Sequence, residues 1–96
     1  MLLKFDWDQW NIQKNETKHG VSKLEAESLF FDEHIAIFED LTHSSKNEKR
    51  WIGYGLSLNK RILMCAFTLR NNKVRIISCR IASRKERIIY EKTKSD

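Results

Sequence analysis

The sequence predicts an α+β domain in which two N-terminal helices and one C-terminal helix surround a mostly antiparallel sheet of four to five strands. Two observations support this prediction. Three apolar segments rich in β-branched residues follow one another in the second half, separated only by short polar turns, which is typical of a meander. Helix-capping patterns stand on both sides of that meander. The expected order is β-α-α-(β)-β-β-β-α, within one domain covering residues 1–96.

The chain begins with the signals for a short strand and a capped helix. Residues 2–7 alternate in polarity and predict a strand. Asp8 is a suitable N-cap for a helix of about ten residues. Gly20 can take the left-handed conformation that ends this helix, and the preceding Lys18 and His19 favour its C-terminal dipole.

A second helix is predicted over residues 23–31, because Ser22 and Glu25 have the spacing of a capping box. Residues 33–38 are a possible short strand. The polar segment 41–49 has no periodicity and is expected to be a loop.

The meander comprises three strands, 51–58, 62–69 and 74–81. Gly53 and Gly55 interrupt the first strand and indicate either a bulge or a close backbone approach. The second strand is apolar on both faces, so we expect it to be central in the sheet.

A two-residue loop at Asn71-Asn72 would set the register of the last hairpin. In that register Cys65 lies opposite Ser78, and Cys79 lies opposite Met64. The two thiols are then diagonal neighbours, and we expect both to be reduced and buried.

The two halves of the chain differ sharply in charge. Residues 1–48 contain five Lys/Arg and ten Asp/Glu, a net charge of −5, whereas residues 49–96 contain thirteen and three, a net charge of +10. The basic half favours contact with a phosphate backbone, although the two halves can also neutralise each other in the fold. The longest apolar run, 62–67, is too short to span a membrane, and the N-terminus lacks the pattern of a signal peptide. We therefore expect a cytoplasmic protein without membrane contact.

The segment 75–87 contains four arginines and one lysine, which favours a polyanion site. In the expected register Arg75 and Arg80 leave the strand on opposite faces, unless the strand bulges. Arg84 and Arg87 lie one turn apart on a final helix that is capped by a Ser-x-x-Glu box.

Several side chains have the chemistry that RNA cleavage needs: a base for the 2′-hydroxyl, an acid for the leaving oxygen, and cations for the phosphate. His19 is the best acid/base candidate because imidazole titrates near neutral pH, although it can instead cap helix carbonyls. Tyr90 can stack on a base or can close the edge of the core. The sequence contains no Gly-rich phosphate loop and no cluster of metal ligands, and it predicts neither a metal nor a cofactor.

A series of motifs runs through nearly the whole chain. In order they are Trp7-Asp8, Asn15, Lys18-His19-Gly20-Val21, Glu25-Ala26, Arg50 with Gly53, Arg75-Ile76-Ile77-Ser78 with Arg80 and Ala82, Glu86-Arg87, and Tyr90. This series resembles the BrnT family of toxins from bacterial type II toxin–antitoxin modules. The chain departs from the family pattern at Cys79, where an alanine is usual, and in the loop 41–49, which has no motif to match.

The resemblance implies a RelE-like fold and a ribonuclease activity that halts translation. It also implies a BrnA-like antitoxin with a ribbon-helix-helix domain. The toxin itself would not bind operator DNA directly, but only as part of a complex with this antitoxin. The resulting hypothesis is a metal-independent endoribonuclease that an antitoxin neutralises. The alternative is a non-enzymatic module that binds the antitoxin and acts as a transcriptional corepressor.

The resemblance also identifies candidate site residues, with His19 as the acid/base and cationic side chains that stabilise the phosphate. The full catalytic set is His19, Lys18, Arg50, Arg80 and Tyr90. A guanidinium can bind a phosphate through two hydrogen bonds. Three further arginines of the basic half are therefore candidate RNA-binding residues: Arg61, Arg84 and Arg87.

Overall fold

The computed structural model describes residues 3–95 as three helices and a five-stranded sheet, which confirms the predicted α+β class. The strands are β1 (Phe5–Asp6), β2 (Ala36–Glu39), β3 (Arg50–Leu56), β4 (Ile62–Arg70) and β5 (Lys73–Ile81). The helices are α1 (Gln9–His19), α2 (Lys23–Ser28), which a 3₁₀ turn (Leu29–Phe31) extends, and α3 (Arg84–Ser95). No helix in this part of the chain is long and apolar enough to cross a membrane.

The sheet order is β1-β5-β4-β3-β2, and every pair is antiparallel except β1 with β5. β4 is therefore central, as its apolar residues on both faces predict. Three strands differ from their predicted bounds by two or more residues. β3 ends at Leu56, two residues before its predicted end. β1 contains only Phe5–Asp6, and Leu2 of the predicted strand lies outside the described residues. β2 begins at Ala36 because the preceding residues form a turn, in which the Ile35 amide donates to the Asp32 carbonyl at 3.1 Å.

The sheet has an inner and an outer face. The inner face packs against α2 and the 3₁₀ turn, and its core includes Leu29, Leu63, Cys65 and Ile76, all 0% exposed. The outer face is covered only at one end, where Tyr90 of α3 joins a smaller cluster. The two faces are therefore unequally filled, and the rest of the outer face is partly open.

Helix α1 begins and ends where the sequence predicts. The Asp8 side chain accepts a hydrogen bond from the Trp10 amide, and Gly20 has a φ of 66°. The helix also covers the edge of β5 beyond the short β1. There the Asn15 side-chain oxygen accepts from the Cys79 amide at 3.2 Å, and Lys14 donates to the Ile77 carbonyl at 3.2 Å. Side chains of α1 thus replace the missing strand neighbour.

The glycines in β3 mark a close approach, and β3 pairs with β4 without a bulge. A Cβ atom on Gly55 would lie 3.2 Å from the Leu29 side chain, and one on Gly53 would lie 3.4 Å from that of Ile35. The missing side chains allow the 3₁₀ turn and the segment after it to pack directly on the sheet.

The predicted hairpin loop is confirmed, because Asn71 and Asn72 have φ values of 51° and 63° and Arg70 pairs with Lys73. This register continues only as far as Phe67, which pairs with Ile76. The conformation with positive φ at both loop residues is the one that suits the twist of a tight hairpin.

Beyond that point β5 contains a bulge, because Ala66 pairs with Ser78 and Ile77 is left as an extra residue. The predicted pairing of the cysteines is therefore wrong. Cys65 lies directly opposite Cys79, and both thiols are free and buried. The bulge also moves Cys79 to the inner face, since residues three apart on a regular strand would point to opposite faces.

The capping box predicted at α2 is only half formed. The Ser22 hydroxyl accepts from the Glu25 amide at 3.1 Å, but the Glu25 side chain does not return to Ser22. It is 2% exposed and forms an ion pair with Arg61, while Ser57 donates to it at 2.7 Å. The Arg61 guanidinium also donates to the Gly20 carbonyl at 3.1 Å. This network ties the turn between α1 and α2 to the β3–β4 connection.

We expect Arg61→Met to lower the free energy of unfolding by about 2–3 kcal/mol, because the substitution leaves the Glu25 carboxylate buried without its cation. The value lies below that for a fully buried pair because the Arg61 side chain is 34% exposed. Urea unfolding followed by circular dichroism would measure the change. Arg70→Met is the matched control, because the Arg70–Glu48 pair is open to solvent. Equal effects of the two substitutions would contradict this assignment.

The same network predicts a pH dependence. Hydrogen bonds from Arg61 lower the pKa of Glu25 below its ordinary value of 4.5, against the opposing effect of burial. The stabilisation is therefore fully present above pH 4.5 and is lost as the pH falls through the lowered pKa. In Glu25→Gln this part of the acid dependence of unfolding should disappear.

Candidate active site on the outer face

The polar residues of the outer face lie in rows across β3, β4 and β5. One row consists of Arg50, Thr68 and Arg75, and Asp6 of β1 extends it. The next row contains Ile52, Ala66 and Ser78, and the third contains Tyr54, Met64 and Arg80. Because of the bulge, Arg75 and Arg80 share this face, contrary to the regular register expected from the sequence.

Arg80 is held at the end of β5 by α3. Its guanidinium makes two hydrogen bonds to the Glu86 carboxylate, at 2.8 and 2.9 Å. Glu86 also accepts from the Ser83 amide at 2.8 Å, and its own amide donates to the Ser83 hydroxyl. The predicted capping box of α3 is therefore complete. A further hydrogen bond from Arg80 to the Ile81 carbonyl, at 3.2 Å, engages the same guanidinium. Both terminal nitrogens of Arg80 are therefore occupied, and only its remaining N–H groups are available to a phosphate.

His19 lies at the C-terminal end of α1, where this helix meets β5. Burial lowers the pKa of His19, and the nearby charges of Lys18, Lys14 and Arg80 lower it further. With a pKa below 6.5 the imidazole is mostly neutral at pH 7 and can accept a proton. Three of the candidate catalytic residues, His19, Lys18 and Arg80, thus lie within electrostatic range of one another around His19, as does Lys14.

Arg50 lies apart from this group. It is two strands away from β5 and two rows away from Arg80, about 13 Å along the strand direction. It shares the outer face with Arg80 but cannot contact the same phosphate oxygen in this conformation.

Tyr90 does not lie in the His19 group. It is 1% exposed, and its hydroxyl donates to the Asp32 carboxylate at 2.6 Å. Burial raises the pKa of Tyr90, and the hydrogen bond and negative charge of Asp32 raise it further. Asp32 also accepts from the Leu56 amide at 2.8 Å. In this position Tyr90 anchors α3 to the sheet.

The three candidate RNA-binding arginines lie in different environments. Arg61 is engaged by Glu25 and the Gly20 carbonyl, which leaves little of its guanidinium for a phosphate. Arg84 and Arg87 are exposed on the solvent side of α3, where both remain accessible to a nucleic acid.

Three residues near this surface were not among the candidates from sequence. A tryptophan is expected either in the core or in an interface with a partner; Trp10 on α1 is 71% exposed and is therefore not a core residue. Thr68 and Arg75 share a row with Arg50. The pairing of Thr68 with Arg75 follows from the predicted hairpin register. That register hides only the position of Arg80, which it assigns to the opposite face.

The comparisons with known proteins agree with this architecture. A family model described as "Ribonuclease toxin, BrnT, of type II toxin-antitoxin system" matches residues 7–86. The chain belongs to this family. Membership in the BrnT family makes it a ribonuclease toxin of a type II toxin–antitoxin system, with an antitoxin as its partner. A search of the curated proteins finds no match.

Among solved structures, the chain is similar to the ribonuclease toxin BrnT of Brucella abortus, whose crystal structure was determined at 1.1 Å resolution. The TM-score is 0.62 at 23% sequence identity, and the match covers 86% of this chain and 100% of the Brucella chain. The α+β fold and the element order expected from the sequence are therefore confirmed, and they match those of the Brucella toxin.

We expect Tyr90→Phe to lower the free energy of unfolding by about 1–2 kcal/mol, because it removes the hydrogen bond to Asp32. Tyr54→Phe is the control, since within residues 3–95 the Tyr54 hydroxyl makes no hydrogen bond to the protein. Thermal unfolding of both variants would measure the difference. If Tyr90→Phe keeps full stability but loses RNA cleavage, Tyr90 is catalytic instead of anchoring.

Proposed function

We propose that this protein is a metal-independent endoribonuclease that cleaves single-stranded RNA and thereby inhibits translation. The observation that supports the proposal most directly is the group formed by His19, Lys18 and Arg80, which comes from opposite ends of the chain. A mostly neutral imidazole with cationic side chains in its electrostatic range is a combination that suits cleavage at a 2′-hydroxyl.

In the proposed reaction His19 removes the proton of the 2′-hydroxyl, whose oxygen attacks the adjacent phosphorus. The bond from phosphorus to the 5′ oxygen breaks, which leaves a 2′,3′-cyclic phosphate and a 5′-hydroxyl. The imidazolium formed in the first half can return its proton to the leaving oxygen. Arg80 and Lys18 stabilise the negative charge that accumulates on the phosphate.

The outer face offers a path for the rest of the RNA. Small side chains, Ala66 and Ser78, form a low floor between the row of Arg50 and the row of Arg80, and both are partly exposed. The corresponding inner-face positions of the same strands are filled by core residues. A sugar–phosphate chain can therefore lie across β4 and β5 with arginines at both ends.

We further propose that a BrnA-like ribbon-helix-helix antitoxin neutralises the toxin in the cytoplasm and connects it to operator DNA. The net charge of +10 in residues 49–96 suits an acidic antitoxin segment as well as RNA. Competition between the two for the basic surface would explain neutralisation.

Purified protein should cleave single-stranded RNA in the presence of EDTA. His19→Ala should reduce the rate by about 10²–10⁴-fold, because it removes the general base. Arg80→Lys, which keeps a positive charge beside Glu86 but loses the bidentate fork, should reduce it by at least about tenfold. Circular dichroism would verify that both variants are folded.

An inactive wild-type protein would contradict the proposal. If induction of the chain alone leaves bacterial growth and bulk RNA unaffected, the alternative of a non-enzymatic corepressor is favoured. Retention of full activity by both folded variants would instead show that other residues perform the chemistry.

The lowered pKa of His19 predicts the pH profile. Because His19 must be neutral to act as the base, kcat/KM should rise with pH along an acid limb whose midpoint lies below the ordinary imidazole value of 6.5. Lys18→Met removes a positive charge near His19, so it should raise the pKa of His19 and move the acid limb of the kcat/KM profile to higher pH. Lys23→Met on α2 should not move the limb. A limb that does not respond to Lys18→Met would contradict the role of His19.

A further inference from the structure

We propose that Arg50, Thr68 and Arg75 form a second phosphate subsite, which binds an RNA phosphodiester adjacent to the scissile one. This inference rests on the proposed function, since it assumes that RNA lies across the outer face. It assigns a role to Thr68 and Arg75, and it gives Arg50 a binding role in place of direct participation in the chemistry.

The three residues are consecutive in a single row of the sheet. Arg50 pairs with Thr68 across β3 and β4, and Thr68 pairs with Arg75 across β4 and β5. Side chains paired in this way project from the same face with their Cβ atoms about 4.5–5.5 Å apart. A hydroxyl flanked by two guanidinium groups therefore occupies the centre of the row.

The polar atoms of this row lack the partners that buried groups normally have. Within residues 3–95, three buried side-chain nitrogen or oxygen atoms make no hydrogen bond: Arg50 Nε, Thr68 Oγ1 and Asn15 Nδ2. The first two belong to directly paired neighbours, and Thr68 is only 1% exposed. Because an unsatisfied buried polar group costs about 1–3 kcal/mol, the row is incomplete without an acceptor. Because both atoms are buried, a phosphate oxygen can accept from them only after the side chains that cover them move.

The side chain of Arg75 is held in place by ion pairs, but not all of its N–H donors are used. It donates to Asp6 at 3.0 Å and lies 3.6 Å from Asp8. These contacts use two terminal nitrogens, whereas a guanidinium carries five N–H donors. Asp6 and Asp8 carry two negative charges against the two positive charges of Arg50 and Arg75, so the formal charges of these four residues cancel. A phosphate would therefore be held here by directed hydrogen bonds from Arg50, Thr68 and the N–H groups of Arg75 that remain unused.

The main test uses a single-stranded RNA whose 2′-hydroxyls are methylated, so that it binds but cannot be cleaved. Thr68→Val removes the hydroxyl and keeps the shape of the side chain. Because the hydroxyl has no partner in the free protein, this variant should be as stable as the wild type or more stable. It should nevertheless bind the methylated RNA about tenfold more weakly, as expected for loss of a hydrogen bond to a charged group. Thr68→Ser should restore most of the affinity.

A second measurement tests the charge. Arg75→Met should reduce the slope of log K against log salt concentration by about 0.7, which corresponds to one phosphate contact with a single strand. Lys23→Met removes the same charge from α2, on the opposite side of the sheet, and should leave the slope unchanged.

The outcomes separate this inference from the proposed function. If the wild type cleaves RNA but Thr68→Val and Arg75→Met bind the methylated RNA as tightly as the wild type, the subsite is wrong and the ribonuclease remains. If the wild type binds through Thr68 and Arg75 but does not cleave unmodified RNA, the subsite stands and the proposed activity fails. Equal salt slopes for Arg75→Met and Lys23→Met would also overturn the assignment.

Discussion

The bulge at Ile77 is the constraint on which the arrangement of the outer face depends. One extra residue in β5 allows Ile76 and Cys79 both to face the core, although they are three positions apart. The same residue brings Arg75 and Arg80 onto one surface. A regular strand would bury one of these arginines against α2 or expose a cysteine. The packing of the core and the grouping of the basic side chains therefore have a common origin in the backbone.

Docking of α1 on β5 complements the bulge. A strand whose neighbour has only two residues leaves amides and carbonyls without partners, and Asn15 and Lys14 satisfy two of them. This contact has a functional result as well as a structural one. It fixes the end of α1 against β5, where the positive charge of Arg80 is near enough to lower the pKa of His19. The edge of the sheet and the proposed active site are built by the same few side chains.

Much of the fold could be predicted from the sequence because its signals are local. The N-cap at Asp8, the left-handed Gly20, the Ser83–Glu86 box and the Asn71-Asn72 loop each depend on residues within one turn. The features that sequence reasoning missed depend on partners far along the chain. The direct pairing of Cys65 with Cys79 depends on the bulge at Ile77, and no glycine or proline in β5 indicates that bulge in the sequence.

The same distinction between local signals and distant partners applies to the residues of the candidate site. The residue types of His19 and Arg80 indicate phosphate chemistry, and the family resemblance indicated which positions to consider. The capping pattern at Glu25 was misleading, since its carboxylate prefers Arg61, 36 positions away, to the nearer Ser22 amide. Tyr90 was misleading for a similar reason, because its partner Asp32 comes from a different part of the chain. Local pattern identifies functional groups, whereas the tertiary fold decides which of them are already engaged.

The attachment of α3 has a consequence for the dynamics of the protein. Among its residues only Tyr90 is buried, and the helix is otherwise held by the Arg80–Glu86 contact at its start. An element with so few buried groups can open while the core between α2 and the sheet stays intact. Release of α3 would free Arg80 from Glu86 and uncover Tyr54 and Met64 at the same time. Displacement of the C-terminal helix would therefore change the shape and the charge of the outer face together.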